Sequence, residues 1–194
     1  MRHVAALAGG IALIGVAACS GITSPPGPAP TSPVTPAGPG LPVRPVELRL
    51  DGVNTCALLS EAHRHELGVN AGVTNGENYG GPLQGPVCVW TNLPRSPENG
   101  YTGGAILNHG ADYALGREPL RFVDGFAATT TGSIGTDPNY YCGMLVDVAP
   151  GQALSAAYDN NAKDYPGMNH QLACDKAQQL ASYMLSTLRS IKQR

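Results

Sequence analysis

The sequence predicts an α+β domain: an antiparallel β-sheet of about five to six strands, an early short helix and a long C-terminal helix packed on one face, and two disulfides. Short runs of β-branched and aromatic residues, separated by Gly-, Pro- and Asn-rich segments, fill the middle of the 194-residue chain. Apolar residues recur at helical spacing near the C-terminus. Antiparallel strands between an early and a late helix favour a sheet with its helices on one face.

The N-terminal residues predict an export signal. Arg2 precedes the uncharged run Val4–Ala18, whose 15 residues fall short of the roughly 20 needed to cross a bilayer. Val16-Ala17-Ala18-Cys19 resembles the lipobox of bacterial lipoproteins, which are cleaved before the cysteine and lipidated on its thiol. We therefore expect loss of residues 1–18 and a membrane anchor through acyl chains on Cys19, on the extracytoplasmic face of the cell membrane. A plain secretory peptide with an incidental cysteine, or an uncleaved anchor, is the alternative.

Residues 19–45 are predicted to be the lipidated cysteine and a disordered, Pro-rich tether. Ile22–Pro45 contains nine prolines and almost no large apolar residue, so it cannot bury enough surface to offset the entropy of ordering. Residues 46–194 are predicted to be one extracytoplasmic domain, since this length suits a single core. The 12 basic and 14 acidic residues suggest no basic face for nucleic acid, and we expect a monomer.

The first half of the domain contains recognisable start and stop signals. Val46–Leu50 alternates like a short strand. Ser60 and Gly68 predict the cap and the end of a short helix. The Gly- and Asn-rich Val69–Pro86 predicts a long surface loop, and Val87–Thr91 predicts the next strand.

The second half is predicted to contain most of the sheet. Gly104–Asn108 and Arg121–Thr131 are predicted strands, the second with a possible bulge at Gly125. Tyr141–Val148 and Ala153–Tyr158 flank a Pro-Gly pair and are therefore predicted to form a hairpin.

The C-terminal helix has the clearest pattern in the chain. Its apolar residues recur at three- and four-residue steps, which predicts an amphipathic helix of about five turns. These residues are Leu172, Cys174, Ala177, Leu180, Ala181, Met184, Leu185, Leu188 and Ile191.

Four cysteines follow Cys19, and their even number in an oxidising compartment predicts two disulfides. Three pairings are possible. Cys56 with Cys88 and Cys142 with Cys174 are favoured, because each bond would join a helix to a strand within its own half of the domain. Metal sites of the zinc type need close pairs such as Cys-x-x-Cys, which the sequence lacks. We therefore expect no metal and no cofactor.

The order of these features resembles a known family. It consists of Cys56-Ala57-Leu58-Leu59 opening a helix, Cys88-Val89-Trp90 in a strand, Gly125-Phe126, the strand Cys142–Val148, and Cys174–Ala177 in the last helix. It resembles the actinobacterial lipoprotein family that includes mycobacterial LprB and LprC, a domain of unknown function. The resemblance covers nearly the whole folded region. It supports the same disulfide pairing and an envelope location, and it implies no active site.

An aromatic group is the candidate binding surface. Tyr140, Tyr141, Tyr158 and Tyr165, with Trp90, could line a recognition surface near the hairpin, or could fill the edges of the core. No Gly-x-Ser-x-Gly nucleophile motif is present.

Three classes of function follow from these residues, and the third is a purely structural envelope protein. The preferred one is a non-catalytic accessory module that binds an envelope protein or a small ligand. The alternative is a cell-wall hydrolase that uses a carboxylate pair drawn from Asp124, Asp137, Asp147 and Asp159.

Overall fold

The computed structural model describes residues 40–76, 81–92, 99–117, 119–132, 137–160 and 166–193. The predicted signal peptide, Cys19 and most of the predicted tether lie outside these ranges. The described helices are two short 3₁₀ helices, Thr55–Leu58 and Ala111–Ala114, and two α-helices, α1 (Glu61–Leu67) and α2 (His170–Lys192). No helix within these ranges is long and apolar enough to span a membrane.

The strands form one antiparallel sheet of seven strands, rather than the predicted five to six, in the order β1-β2-β3-β7-β6-β5-β4. They are β1 (Val73–Thr74), β2 (Val87–Thr91), β3 (Asn99–Ile106), β4 (Arg121–Val123), β5 (Phe126–Thr131), β6 (Tyr141–Ala149) and β7 (Gln152–Asn160). The hairpin predicted around the Pro-Gly pair is present as β6 and β7.

Three differences account for the strand count. Val73–Thr74 lies in the predicted loop and pairs with β2. Arg121–Thr131 is not one bulged strand but the hairpin of β4 and β5, because Asp124 and Gly125 have φ angles of 49° and 87° and form a tight two-residue turn. Val46–Leu50 is not a strand. Its Leu48 amide donates to the Val148 carbonyl, but the Leu50 amide donates to the Gln152 side chain.

Both α-helices begin at side-chain caps. The Ser60 hydroxyl accepts a hydrogen bond from the His63 amide at 3.2 Å, and Gly68 ends α1 at a φ of 68°. The Asn169 side chain caps α2 by accepting from the Leu172 amide at 2.9 Å.

The main core lies between α2 and one face of the sheet, which we call the helix face. Alternate residues of β6 and β7 point into it, and the apolar side of α2 covers them. At Gly103 the helix comes so close that an added Cβ would lie 2.7 Å from the Met184 sulfur and 2.9 Å from the Trp90 ring. Close packing, above all against the rigid Trp90 ring, therefore favours glycine there, and backbone conformation does not.

The two disulfides of the structure are Cys56–Cys88 and Cys142–Cys174, each with a sequence separation of 32. These are the pairs that the sequence favoured. The first joins the 3₁₀ helix Thr55–Leu58 to β2, and the second joins β6 to α2. Each bond therefore fixes a helix onto the helix face of the sheet.

A smaller apolar cluster lies on the opposite face, which we call the second face. Ile106, Leu145 and Ala153 contribute to it from the sheet, and the 3₁₀ helix Ala111–Ala114 covers them. Leu41 packs against this cluster. The last residues of the segment predicted as tether therefore already contact the domain.

Arg44 fixes this N-terminal segment to the sheet. Its guanidinium donates to Asp147 of β6 through NH2 at 2.9 Å, and its Nε lies 2.7 Å from the second carboxylate oxygen. Both side chains are 1% exposed. Burial raises the pKa of Asp147, and the Arg44 hydrogen bond and charge oppose that rise.

Candidate functional site

The predicted aromatic surface does not form, because two of its members belong to the core. Trp90 and Tyr158 are fully buried. Tyr158 is the cross-strand partner of Cys142 on β6, so both side chains point to the helix face. Trp90 is two residues from Cys88, and the twofold alternation of β2 therefore puts it on the same face.

The other described tyrosines of that prediction, Tyr140 and Tyr141, lie at the start of β6. Tyr140 and Tyr141 are half-buried, and Tyr165 lies outside the described residues. Tyr141 points to the second face, where Thr131 is its hydrogen-bond partner. Burial, with the nearby charge of Asp159, raises the pKa of the Tyr141 phenol.

Asp124, Asp147 and Asp159 occupy separate parts of the domain, and Asp137 lies at the same end of the β6–β7 hairpin as Asp159. Asp147 is held by Arg44, and its cross-strand partner is Ala153. Asp159 lies on β7 six residues after Ala153. At 3.3 Å per residue this spacing places Asp159 roughly 20 Å from Asp147. Burial raises the pKa of Asp159. Asp137 lies in the turn before β6, where its carboxylate accepts from the Asn139 amide.

Asp124 contacts α2. The Ser182 hydroxyl donates to its carboxylate at 2.9 Å, and the Arg189 guanidinium donates to its backbone carbonyl at 2.8 Å. Arg189 also lies over the Phe126 ring, 5.1 Å from its centroid. These contacts fix the β4–β5 turn against the last three turns of the helix.

A groove runs along this junction, and we call it the α2 groove. Its wider part has a volume of about 650 Å³ and is lined by Asp124, Ser182, Ser186, Arg189, Ser190 and Gln193. Its narrower part, of about 350 Å³, adds Val123, Asp175, Gln178, Gln179 and Tyr183. Ten of its eleven lining side chains carry a polar group, and their carbon atoms also contribute apolar surface.

Tyr183 connects the narrow part of the α2 groove to α1. Its ring stacks on His63 with centroids 4.2 Å apart. Its hydroxyl donates to Glu66 and accepts from Gln179 at 2.9 Å. Partial burial is the main cause that raises the pKa of Tyr183, and the hydrogen bond to Glu66 raises it further. The phenol therefore stays protonated and serves as a fixed donor between the two helices.

The sequence contains a polar pattern that marks one wall of this groove, but the apolar pattern of the same helix is more prominent. Gln178, Ser182, Ser186 and Ser190 recur every four residues, so they form one row on the polar side of α2. Such a row is typical of a solvated helix face. The opposite wall comes from Asp124, 58 residues earlier than Ser182, and local spacing cannot reveal that contact.

The described residues contain no group of three or more His, Cys, Asp or Glu side chains that could bind a metal ion. The side chains of the α2 groove can form hydrogen bonds with a ligand through their hydroxyl, amide, carboxylate and guanidinium groups.

Comparison with known proteins identifies the family. The family described as "Protein of unknown function (DUF3558)" matches residues 14–187, so the chain belongs to it. That description assigns no catalytic activity. No curated protein and no solved structure matches the chain.

Proposed function

We propose that this member of the DUF3558 family is a lipoprotein, anchored to the extracytoplasmic face of the cell membrane through Cys19, whose domain is a non-catalytic module that binds an envelope component in the α2 groove. The observation that carries the binding role is the groove itself. Its two walls are held together by the Ser182–Asp124 and Arg189–Asp124 contacts. Asp124, Ser182 and Arg189 are therefore positioned before a ligand arrives.

The anchor rests on the sequence. The family match begins at residue 14 and so includes Val16-Ala17-Ala18-Cys19 as well as all four paired cysteines. Two disulfides agree with an oxidising compartment outside the cytoplasm. The closer relation to LprB- and LprC-like lipoproteins is part of the same proposal and rests on the motifs quoted above.

Binding is favoured over hydrolysis by the exposure of the groove's acidic residues. Asp124 and Asp175 both line its narrow part. The general acid of a glycoside hydrolase works from a desolvated site, whereas the Asp175 side chain is 55% exposed. Asp124 is also exposed and accepts a hydrogen bond from Ser182.

The anchor is tested by mass spectrometry of the N-terminal peptide of the protein purified from membranes. We expect Cys19 as the first residue, carrying acyl chains, and we expect Cys19→Ser to lose the fatty acid. Finding a different first residue, or an unmodified Cys19, would contradict the anchor.

The binding role is tested by site-specific photo-crosslinking in intact cells. A benzophenone amino acid replaces Ser186, which is exposed in the wide part of the groove. The matched control carries the same group at Ala62, which is exposed on α1 and does not line the groove. We expect an envelope adduct at position 186 and none at position 62. No adduct at 186, or equal adducts at both positions, would contradict the proposal.

A further inference from the structure

We infer that the ligand of the α2 groove is a neutral, polyhydroxylated chain, that is, a glycan segment of the cell envelope. This inference rests on the proposed function and names the class of ligand. It follows from the chemistry, the charge and the length of the groove.

The first argument is the chemistry of the walls. Seven lining side chains are polar and uncharged, and one, Val123, is apolar. The seven are Gln178, Gln179, Ser182, Tyr183, Ser186, Ser190 and Gln193. Hydroxyl and amide groups can both donate and accept hydrogen bonds. Sugar hydroxyls have the same dual capacity, so each can pair with any of these positions.

The second argument is the balance of charge. Asp124 lies beside Arg189, whose guanidinium donates to the Asp124 carbonyl. Asp175 lies 4.0 Å from the guanidinium of Arg121. Asp124, Asp175 and Arg189 line the groove, and Arg121 and Glu66 lie beside it, so both signs of charge are present along it. A polyanion or a polycation would therefore gain little net attraction along it.

The third argument is length. Gln178 and Ser190 are twelve residues apart on α2, so the polar row extends roughly 18 Å at 1.5 Å per residue. An extended polymer can contact the whole row, whereas a small molecule would leave most of it in water. The row follows an inclined ridge on the surface of α2, which is a continuous helix from His170 to Lys192.

A peptide ligand fits the groove less well. Peptides that bind along a helix or a sheet edge use apolar anchors in pockets, or pair with a free strand. The lining of the α2 groove offers one apolar side chain, Val123, and consists of helix residues on one side and a turn on the other. A peptide is therefore an outcome of the test below rather than the expected ligand.

The test uses the complete mature protein and neutral glycan fragments released from the isolated cell wall of the producing cells. Binding is measured by isothermal titration calorimetry, with Ser186→Arg as the blocking variant and Ala62→Arg as the control. Both positions are exposed on helices, and arginine is a good helix former, so both variants should fold. We expect at least a tenfold loss of affinity for Ser186→Arg and less than a twofold change for Ala62→Arg.

Salt dependence gives a second, independent readout. A neutral ligand should bind with nearly the same affinity at about 0.05 M and about 0.5 M sodium chloride, because screening acts on charges.

Competition is measured with the crosslinker at position 186, and an excess of the glycan fragments should abolish the envelope adduct.

The outcomes separate the two proposals. If an adduct forms at position 186 but no glycan fragment binds or competes, the ligand class is wrong and the binding role stands. A peptide or a charged polymer in the adduct would likewise show that the ligand class is wrong and that the groove binds an envelope component. If the fragments bind equally well to Ser186→Arg, the site is wrong. If no adduct forms at position 186, the proposed function itself fails.

Discussion

Replacing Arg44 with methionine should destabilise the domain strongly, because it leaves the Asp147 carboxylate buried without its partner. Both side chains are 1% exposed, and two contacts of 2.9 and 2.7 Å join them. Breaking a buried ion pair of this kind costs about 3–5 kcal/mol of unfolding free energy. A domain of this length has roughly 5–15 kcal/mol in total. The melting temperature should therefore fall by roughly 6–20 °C.

The loss in Arg44→Met should depend on pH in a defined direction. Burial raises the pKa of Asp147 above its ordinary value of 3.8, and Arg44 opposes that rise. Without Arg44 the pKa of Asp147 in the folded state rises further. At a pH between the Asp147 pKa of the unfolded state and that of the folded state, the folded state therefore binds more protons than the unfolded state. Stability then decreases as pH rises through that window. The deficit relative to wild type should accordingly be smaller near pH 4 than near pH 7.

The measurement is urea denaturation of the mature, unlipidated chain at several pH values. The control is the double variant Arg44→Met with Asp147→Leu, which removes both charges and fills the site with apolar atoms. Such replacements are often neutral or stabilising by about 1–4 kcal/mol, so the double variant should recover most of the loss. A single variant that loses less than about 1 kcal/mol, or a double variant as unstable as the single one, would refute the reasoning.

Three further changes test the packing on the helix face. Gly103→Ala should cost about 1–3 kcal/mol because its Cβ would overlap Met184, whereas Gly100→Ala, whose nearest contact is 3.8 Å away, should be close to neutral in the same thermal melts. Replacing both Cys142 and Cys174 with alanine should cost about 3–4 kcal/mol by the loop-entropy estimate, and a loss within error of zero would show that the bond constrains little. Leu188→Ala should cost about 2–5 kcal/mol, since the side chain is fully buried, and urea titration measures it.

The parts of the fold that the sequence predicted have long, regular patterns. The nine apolar positions of the last helix recur over five turns, and α2 spans His170–Lys192 as a result. The Pro-Gly pair flanked by alternating residues likewise predicted the β6–β7 hairpin. Propensity and periodicity agree in both elements, so tertiary contacts did not have to decide between alternatives.

The missed elements are short or depend on distant partners. Val73–Thr74 is two residues long, which no periodicity can reveal, and it exists because β2 pairs with it. Asp124-Gly125 is a typical hairpin turn, but its Gly was interpreted as a bulge within one strand. Leu48 and Leu50 are buried as expected of a strand, although Val46–Leu50 does not form one.

The candidate site was the least predictable part. Tyrosine and tryptophan have a polar atom on a large apolar ring, so Trp90 and Tyr158 could be assigned equally to a surface or to a core. Because of their positions on β2 and β7, both side chains point into the core. The α2 groove instead combines a polar helix face with a turn far away in sequence, and polar side chains carry no periodic signal that distinguishes a binding wall from a hydrated one.

Arg44 and α2 lie on opposite faces of the sheet. Leu41 and Arg44 contact the second face, and the α2 groove lies beside the helix on the other. A ligand in the α2 groove therefore does not compete with Leu41 or Arg44 for the same face of the sheet, and a substitution on one face can be tested without altering the contacts of the other.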